Sequence, residues 1–207
     1  MSKPKGSSSG WRSRQERDPY VQKARRDGWR SRAVYKLEQI LEKERVLRPD
    51  MTCIDLGAAP GGWSQYTAHR LKGRGRVIAL DILPMDPVPG VEFIQGDFTE
   101  DTVLAELLRR LGDDRADLVL SDMAPNISGN KAVDQPRAQH LAELALDLAQ
   151  KVLRKKGVFI CKLFQGQGTD EVVAAARAAF EQVKIVKPAA SRAGSSEIYL
   201  VARTYRL

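Results

Sequence analysis

Thr52-Cys-Ile-Asp-Leu-Gly-Ala-Ala-Pro-Gly-Gly-Trp-Ser64 constrains the fold more than any other stretch of the chain. An apolar run ends near an acid, passes into small residues and leads into a helical pattern. With three glycines and two alanines from Leu56 to Gly62, the backbone can turn sharply and lie against a ligand where a larger side chain would collide. A dinucleotide loop would need G-x-G-x-x-G, so that a pyrophosphate can sit on the amides of a helix N-terminus. Here the spacing is Gly57-x-x-x-Gly61-Gly62, Pro60 has no amide hydrogen, and no lysine stands where a Walker loop requires one. Neither phosphate reading fits.

Acids recur at the ends of successive apolar runs, as Asp55, Asp81, Asp97 and Asp122. Val77-Ile-Ala-Leu-Asp81, Val91-Glu-Phe-Ile-Gln-Gly-Asp97 and Asp117-Leu-Val-Leu-Ser-Asp122 each close with an acid where a parallel strand would end. In an open α/β sheet those ends share one crevice, and Asp81, about 20 residues beyond the glycines, stands where an acid bonds the hydroxyls of a ribose. Taken singly, such acids are as readily turn residues and helix caps. Four beside one glycine turn describe a ligand with a ribose, an adenine, an amino acid and a positive centre, which is S-adenosylmethionine.

At 207 residues the chain suits one substantial domain with a tail. No apolar run approaches the length of about 18 residues that a membrane span needs, and the N-terminus has no apolar signal core, so no membrane partner and a cytoplasmic location are expected. Cys53 and Cys161 lie inside apolar runs without C-x-x-C spacing and read as two buried reduced thiols. His69 and His140 have no partner at ligand spacing; each reads as a helix-surface residue, and no metal is expected. The formal charge of +8 is uneven, with +7 on residues 1–50 and +1 on the remaining 157. A basic segment beside a cofactor domain fits attraction to phosphates, which makes nucleic acid the leading partner class.

Residues 1–18 read as a disordered basic tail, since Met1 to Gly10 cannot bury enough surface to offset its ordering entropy. Residues 19–207 read as the catalytic domain, opened by a basic arm and helix over 19–45. Trp11 to Arg30 interleaves Lys and Arg with Trp11, Tyr20 and Trp29, aromatics that either stack on exposed bases or dock on the domain. Ser31 is the expected N-cap of a helix whose apolar positions are Val34, Leu37, Ile40 and Leu41. Lys36 sits at the margin of that stripe, where its stem can cross packed surface and its ammonium reach a cleft. After the glycine turn, helices are expected over 61–72, 100–111, 135–154 and 169–180, and strands over 76–80, 91–95, 116–121 and 157–164. Val183–Val186 and Glu197–Ala202 suit a terminal hairpin, with the loop from Lys187 to Ser196 as one wall of a substrate groove. Lys162, near the mouth of an otherwise aliphatic strand, points to a salt bridge with a neighbouring acid or to catalysis.

Ser31-Arg-Ala-Val-Tyr-Lys-Leu37, Asp55-Leu-Gly-Ala-Ala-Pro-Gly-Gly-Trp63, Ser121-Asp-Met-Ala-Pro-Asn126, Lys162-Leu-Phe164 and Ser195-Ser-Glu-Ile-Tyr199 together resemble the FtsJ-like ribose methyltransferases. The resemblance runs from about Tyr20 to the C-terminus. It implies a Rossmann-like methyltransferase fold of the α/β class: a seven-stranded mixed sheet with the last strand antiparallel and helices on both faces. It implies that Gly61, Trp63, Asp81, Asp97 and Asp122 contact S-adenosylmethionine, and that Lys36, Asp122, Lys162 and Glu197 form a K-D-K-E catalytic tetrad. By the order and length of its motifs it further implies 2'-O-methylation of a uridine ribose in 23S rRNA of the large ribosomal subunit, within the 50S particle, by a monomer. A tRNA ribose, an mRNA cap, or a non-catalytic role in ribosome assembly are the alternatives, and the tetrad alone leaves the formal base open.

Overall fold

The structure is a computed structural model and describes residues 17–207, so most of the expected tail, Trp11 included, lies outside the described residues. Asp18 caps the first helix, α1 (Pro19–Asp27), by accepting from the Tyr20 amide at 3.0 Å, and Pro19 fills the first turn, where its missing N–H costs nothing. The next helix, α2 (Val34–Glu44), departs from the expected cap. Ala33 occupies the cap position in helical conformation, and the first turn closes through the Ser31 carbonyl, 3.4 Å from the Val34 amide. The Ser31 hydroxyl lies against Gly62.

Seven strands follow in alternation with helices: β1 (Met51–Leu56), α3 (Gly62–Leu71), β2 (Gly75–Asp81), β3 (Val91–Gln95), α4 (Asp101–Leu111), β4 (Ala116–Ser121), α5 (Lys131–Val152), β5 (Leu153–Phe164), α6 (Thr169–Ala179), β6 (Phe180–Val186) and β7 (Glu197–Tyr205). The sheet order is β3-β2-β1-β4-β5-β7-β6. Only β7 runs antiparallel, pairing with both β5 and β6, so the expected hairpin forms with β7 inserted as the inner strand. This is the Rossmann-like mixed sheet the resemblance implied. The order reverses between β1 and β4, the point at which an open α/β sheet leaves a crevice for a ligand.

Helix α5 starts four residues earlier than the apolar pattern suggested. Asn130 caps it through Ala132, while both carboxylate oxygens of Asp134 gather the amides of Ser128 and Gly129. Polar capping chemistry, invisible to apolar periodicity, sets that end. One face of the sheet packs α4, α5 and α6 against residues such as Ile54, Val119 and Phe159. The other packs α1, α2 and α3 against Cys53, Leu118, Leu120, Val158, Ile160 and Val201. Both thiols are free and buried, as their apolar surroundings predict. Trp29 stands edge-on to Tyr66 and His69 at 5.6 and 5.5 Å, and Tyr20 lies 5.4 Å from Tyr35. Of the two roles open to the arm aromatics, these two take docking on the domain.

Candidate active site

Alternation along three neighbouring strands builds the centre. On the face that α2 covers, Leu118 and Leu120 of β4 lead to Asp122; Val158 and Ile160 of β5 lead to Lys162; and on antiparallel β7, Val201 leads to Tyr199 and Glu197. The register sets these rungs side by side, with Leu120 opposite Ile160, Ile160 opposite Val201, Lys162 opposite Tyr199 and Phe164 opposite Glu197. Where the lower rungs are apolar core, the last rungs are charged. Lys36 comes to them from α2.

Two ion pairs result. Lys162 Nζ lies 3.1 Å from Asp122 Oδ1 and donates to the Asp122 main-chain oxygen at 2.6 Å. Lys36 Nζ reaches both oxygens of Glu197, at 2.7 and 2.8 Å. The structure therefore brings together all four residues of the expected tetrad, and Lys162 also acts electrostatically on Glu197. Their side chains are between 8% and 18% exposed, so each charge depends on its partner. Burial, the largest single influence, would raise the Glu197 carboxyl, but Lys36, Lys162 and the Ser191 hydroxyl together hold the group below its ordinary range.

Two further residues, given no role by the sequence reading, complete the arrangement. Tyr199 donates its hydroxyl to Asp122 Oδ1 at 2.8 Å, and burial together with the charges of Asp122 and Glu197 pushes its phenol far above the usual range, so it remains a donor. Ser191, buried in the loop between β6 and β7, donates to Glu197 Oε1 at 2.9 Å. That loop is held by Gln39 Oε1, which accepts from the Ala190 amide, and by Arg32, whose guanidinium donates to Ala190 O and pairs with Asp18. Tyr199 had a signal in its phase with Glu197, two residues away on one strand. Ser191 had none.

On the other side of the crevice, Gly61 takes φ 102°, a conformation that an L side chain rarely adopts, and a Cβ there would meet Met85 Sδ at 2.9 Å. A Cβ on Gly57 would collide with Met123, so the turn lies directly against the segment after Asp122. Asp81 accepts from the Ala59 amide through Oδ2 and from the Leu83 amide through Oδ1, both at 2.8 Å, which ties the turn to the end of β2. A carboxylate offers about four lone pairs, so capacity for two sugar hydroxyls is left. Asp97 uses Oδ1 for both bonds to Thr99. Trp63 is 3% exposed; its Nε1 donates to Ala33 O at 2.8 Å and its ring lies 5.8 Å from Tyr199, so it ties α3 to the segment before α2. Among the described residues no three His, Cys, Asp or Glu side chains gather as a metal site.

Asp55, the remaining strand-end acid, is wholly buried and accepts from Ser64 Oγ at 2.6 Å. Burial first, then the charges of Asp122 and Asp81, push its carboxyl up to about 7 against the pull of the Ser64 bond. The fold therefore prefers the neutral acid, and stability from this position is present at acid pH and lost as pH rises through about 7. Urea midpoints taken at about pH 5 and about pH 8 are expected to differ less in Asp55→Asn than in the native chain. An unchanged difference would mean that Asp55 ionises freely in the fold.

A doubly wound sheet with a glycine turn and acids at its switch point, and buried ammonium–carboxylate pairs beside it, has the form of an active site at a ligand crevice. Residues 29–205 match the family model described as FtsJ-like methyltransferase, and the chain belongs to that family. It is thus a methyltransferase and takes a methyl donor. Over 207 residues, covering all of both chains, it is 55% identical to a protein of Legionella pneumophila named ribosomal RNA large subunit methyltransferase E. A protein of the same name from Pseudomonas aeruginosa is 60% identical over 189 residues, 91% of each chain. Among solved structures, a ribosomal RNA methyltransferase of Plasmodium falciparum, itself described as putative, superposes with a TM-score of 0.77 at 32% identity, covering 86% of this chain and 98% of that one. A structure from Clostridium thermocellum, described as a putative rRNA methylase, shares the fold at 15% identity and a TM-score of 0.57, covering 81% of this chain and 96% of that one.

Proposed function

We propose that this chain transfers a methyl group from S-adenosylmethionine to the ribose 2'-oxygen of a uridine in 23S rRNA, acting in the cytoplasm as a monomer on the 50S particle. The observation that carries the reading is the convergence of the Lys162–Asp122 and Lys36–Glu197 pairs at neighbouring strand ends beside the glycine turn. The names borne by relatives identical at 55–60% support the substrate class. The cleft suits the cofactor chemically. Asp81 keeps lone pairs for a ribose, exposed Ile82 and Leu83 follow it as apolar surface for a base, and Pro60 offers no amide for a phosphate.

Gly61, Asp81, Asp97 and Asp122 line the cofactor cleft in this reading, and Trp63 buttresses it. S-adenosylmethionine supplies an already electrophilic methyl group, so the protein's task is to hold a ribose oxygen in line and manage its proton. Lys162 meets the hydroxyl proton, fixed in place by the side-chain and main-chain oxygens of Asp122. Lys36, held by both oxygens of Glu197, fixes the ribose. Residues 19–207 form the methyltransferase domain, with the basic arm and helix over 19–45 receiving the RNA. The exposed large apolar side chains among the described residues are few, and Leu108, Ile127 and Ile185 come from separate parts of the chain.

The test is incubation with methyl-labelled S-adenosylmethionine and, separately, 50S particles, naked rRNA and tRNA. Label is expected on a ribose of large-subunit rRNA, with the particle preferred. Label in tRNA alone would overturn the substrate.

A further inference from the structure

The segment after β2, Ile82-Leu-Pro-Met-Asp-Pro-Val-Pro-Gly90, holds three prolines in nine residues. A stretch so poor in amide donors cannot build a backbone ladder of its own, and its order must come from elsewhere. Asp81 and Gln95 hold its first two residues, through the Leu83 amide and the Ile82 carbonyl, and its middle is held by a side chain 56 residues away. Arg30 Nη1 donates to Asp86 O at 2.6 Å, and its Nη2 to Pro87 O at 2.6 Å. The same Nη1 donates to Pro60 O, in the glycine turn, at 3.2 Å.

The main chain of the arm is anchored at the same place. The Arg30 amide donates to Gln65 Oε1 at 3.0 Å, and Gln65 Nε2 donates to Gly28 O at 3.1 Å. A Cβ on Gly61 would stand 3.1 Å from Arg30 Nη1 and 3.1 Å from Val88 Cγ2, so this guanidinium and the proline-rich segment close over the outer side of the turn. One side chain thus joins three parts: the end of the basic arm, the glycine turn, and the segment that carries exposed Ile82 and Leu83.

We propose that Arg30 is a positioning residue for the cofactor cleft, and that through it cofactor binding and order in the basic arm depend on each other. The inference rests on the reading of the cleft as an S-adenosylmethionine site. A planar fork of five donors suits three diverging carbonyls, whereas an ammonium on the same stem serves them one at a time. The three carbonyls face solvent when released, so losing Arg30 leaves the core packed and broadens the conformations of 82–90. The binding-competent fraction falls, and apparent affinity falls with it. Arg30 bonds to no member of the charged tetrad, so its effect falls first on the cleft. By reciprocity, a cofactor that orders 82–90 must also order the arm.

The experiment is calorimetric titration of the full chain with S-adenosylhomocysteine, together with hydrogen exchange over residues 19–30 and 82–91, on the native chain, Arg30→Ala and Arg30→Lys. Arg30→Ala is expected to bind about tenfold more weakly and Arg30→Lys to fall between. Cofactor is expected to slow exchange in the native arm and to leave the arm of Arg30→Ala unchanged. Should Arg30→Ala fail to fold, Arg30→Lys carries the comparison. Equal affinities, or a native arm that ignores the cofactor, overturn the inference alone. A native chain that does not bind S-adenosylhomocysteine overturns the cofactor reading and the inference with it.

Discussion

Lys162→Ala is expected to slow single-turnover methyl transfer about 10³-fold, the middle of the range for a positioned group that handles a proton in the transition state. The expectation comes from geometry. Lys162 Nζ is gripped by two oxygens of one residue, Asp122, and the register of β5 against β7 places Tyr199 beside it, with Tyr199 bonded to the same carboxylate oxygen. Cofactor affinity should change little, because the loss falls on the step and not on the cleft. Lys162→Arg separates proton handling from charge. A guanidinium keeps the positive charge and can still meet Asp122, but it cannot take a proton at any accessible pH. It is expected to be nearly as slow as the alanine variant. Near-normal transfer by Lys162→Arg at neutral pH would show that the position needs only a cation, and would remove Lys162 from any role as proton acceptor.

How far the centre can be read without coordinates is decided by phase. Asp122, Lys162 and Glu197 each continue an alternating apolar series, 118-120, 158-160 and 201-199, so the sequence already puts each on the same side of its strand as the core residues beneath it. The side facing α2, and the adjacency of β4, β5 and β7, depend on strand order, which no local pattern encodes. Motif resemblance supplied that missing relation for the tetrad. It supplied nothing for Ser191 or Arg30, which themselves lie in connecting segments, where the chain has no period to follow. The Ser31 cap is not made: a serine before a helix is an adequate local signal, but Ala33 takes the cap position and the Ser31 hydroxyl lies against Gly62. The ends of α5 and β5 shifted because capping at Asn130, and pairing of Leu153 with Ala116, overrule apolar spacing.

The second large effect concerns the Lys36–Glu197 pair. Glu197→Ala leaves Lys36 buried at 12% exposure with its carboxylate gone and Ser191 without its acceptor, and breaking a buried pair in this way costs about 3–5 kcal/mol. A loss of activity in that variant alone would be ambiguous, because instability and misplacement arrive together. The double variant Lys36→Met, Glu197→Leu resolves it. Replacing both charges by apolar groups of similar volume is often neutral for stability, so its urea midpoint is expected to return close to the native value. Methyl transfer is expected to stay at least about 10²-fold down, since neither variant side chain can hold a hydroxyl in line. Acid unfolding gives an independent check. The Glu197 carboxyl is held below its ordinary range, so its stabilisation is present above that range and lost as pH falls through the lowered value. The native chain should therefore weaken more steeply into acid than the double variant. Recovery of transfer along with stability would reduce Lys36 and Glu197 to a structural clamp between α2 and β7, and the chemistry would then rest on Lys162 and Asp122 alone.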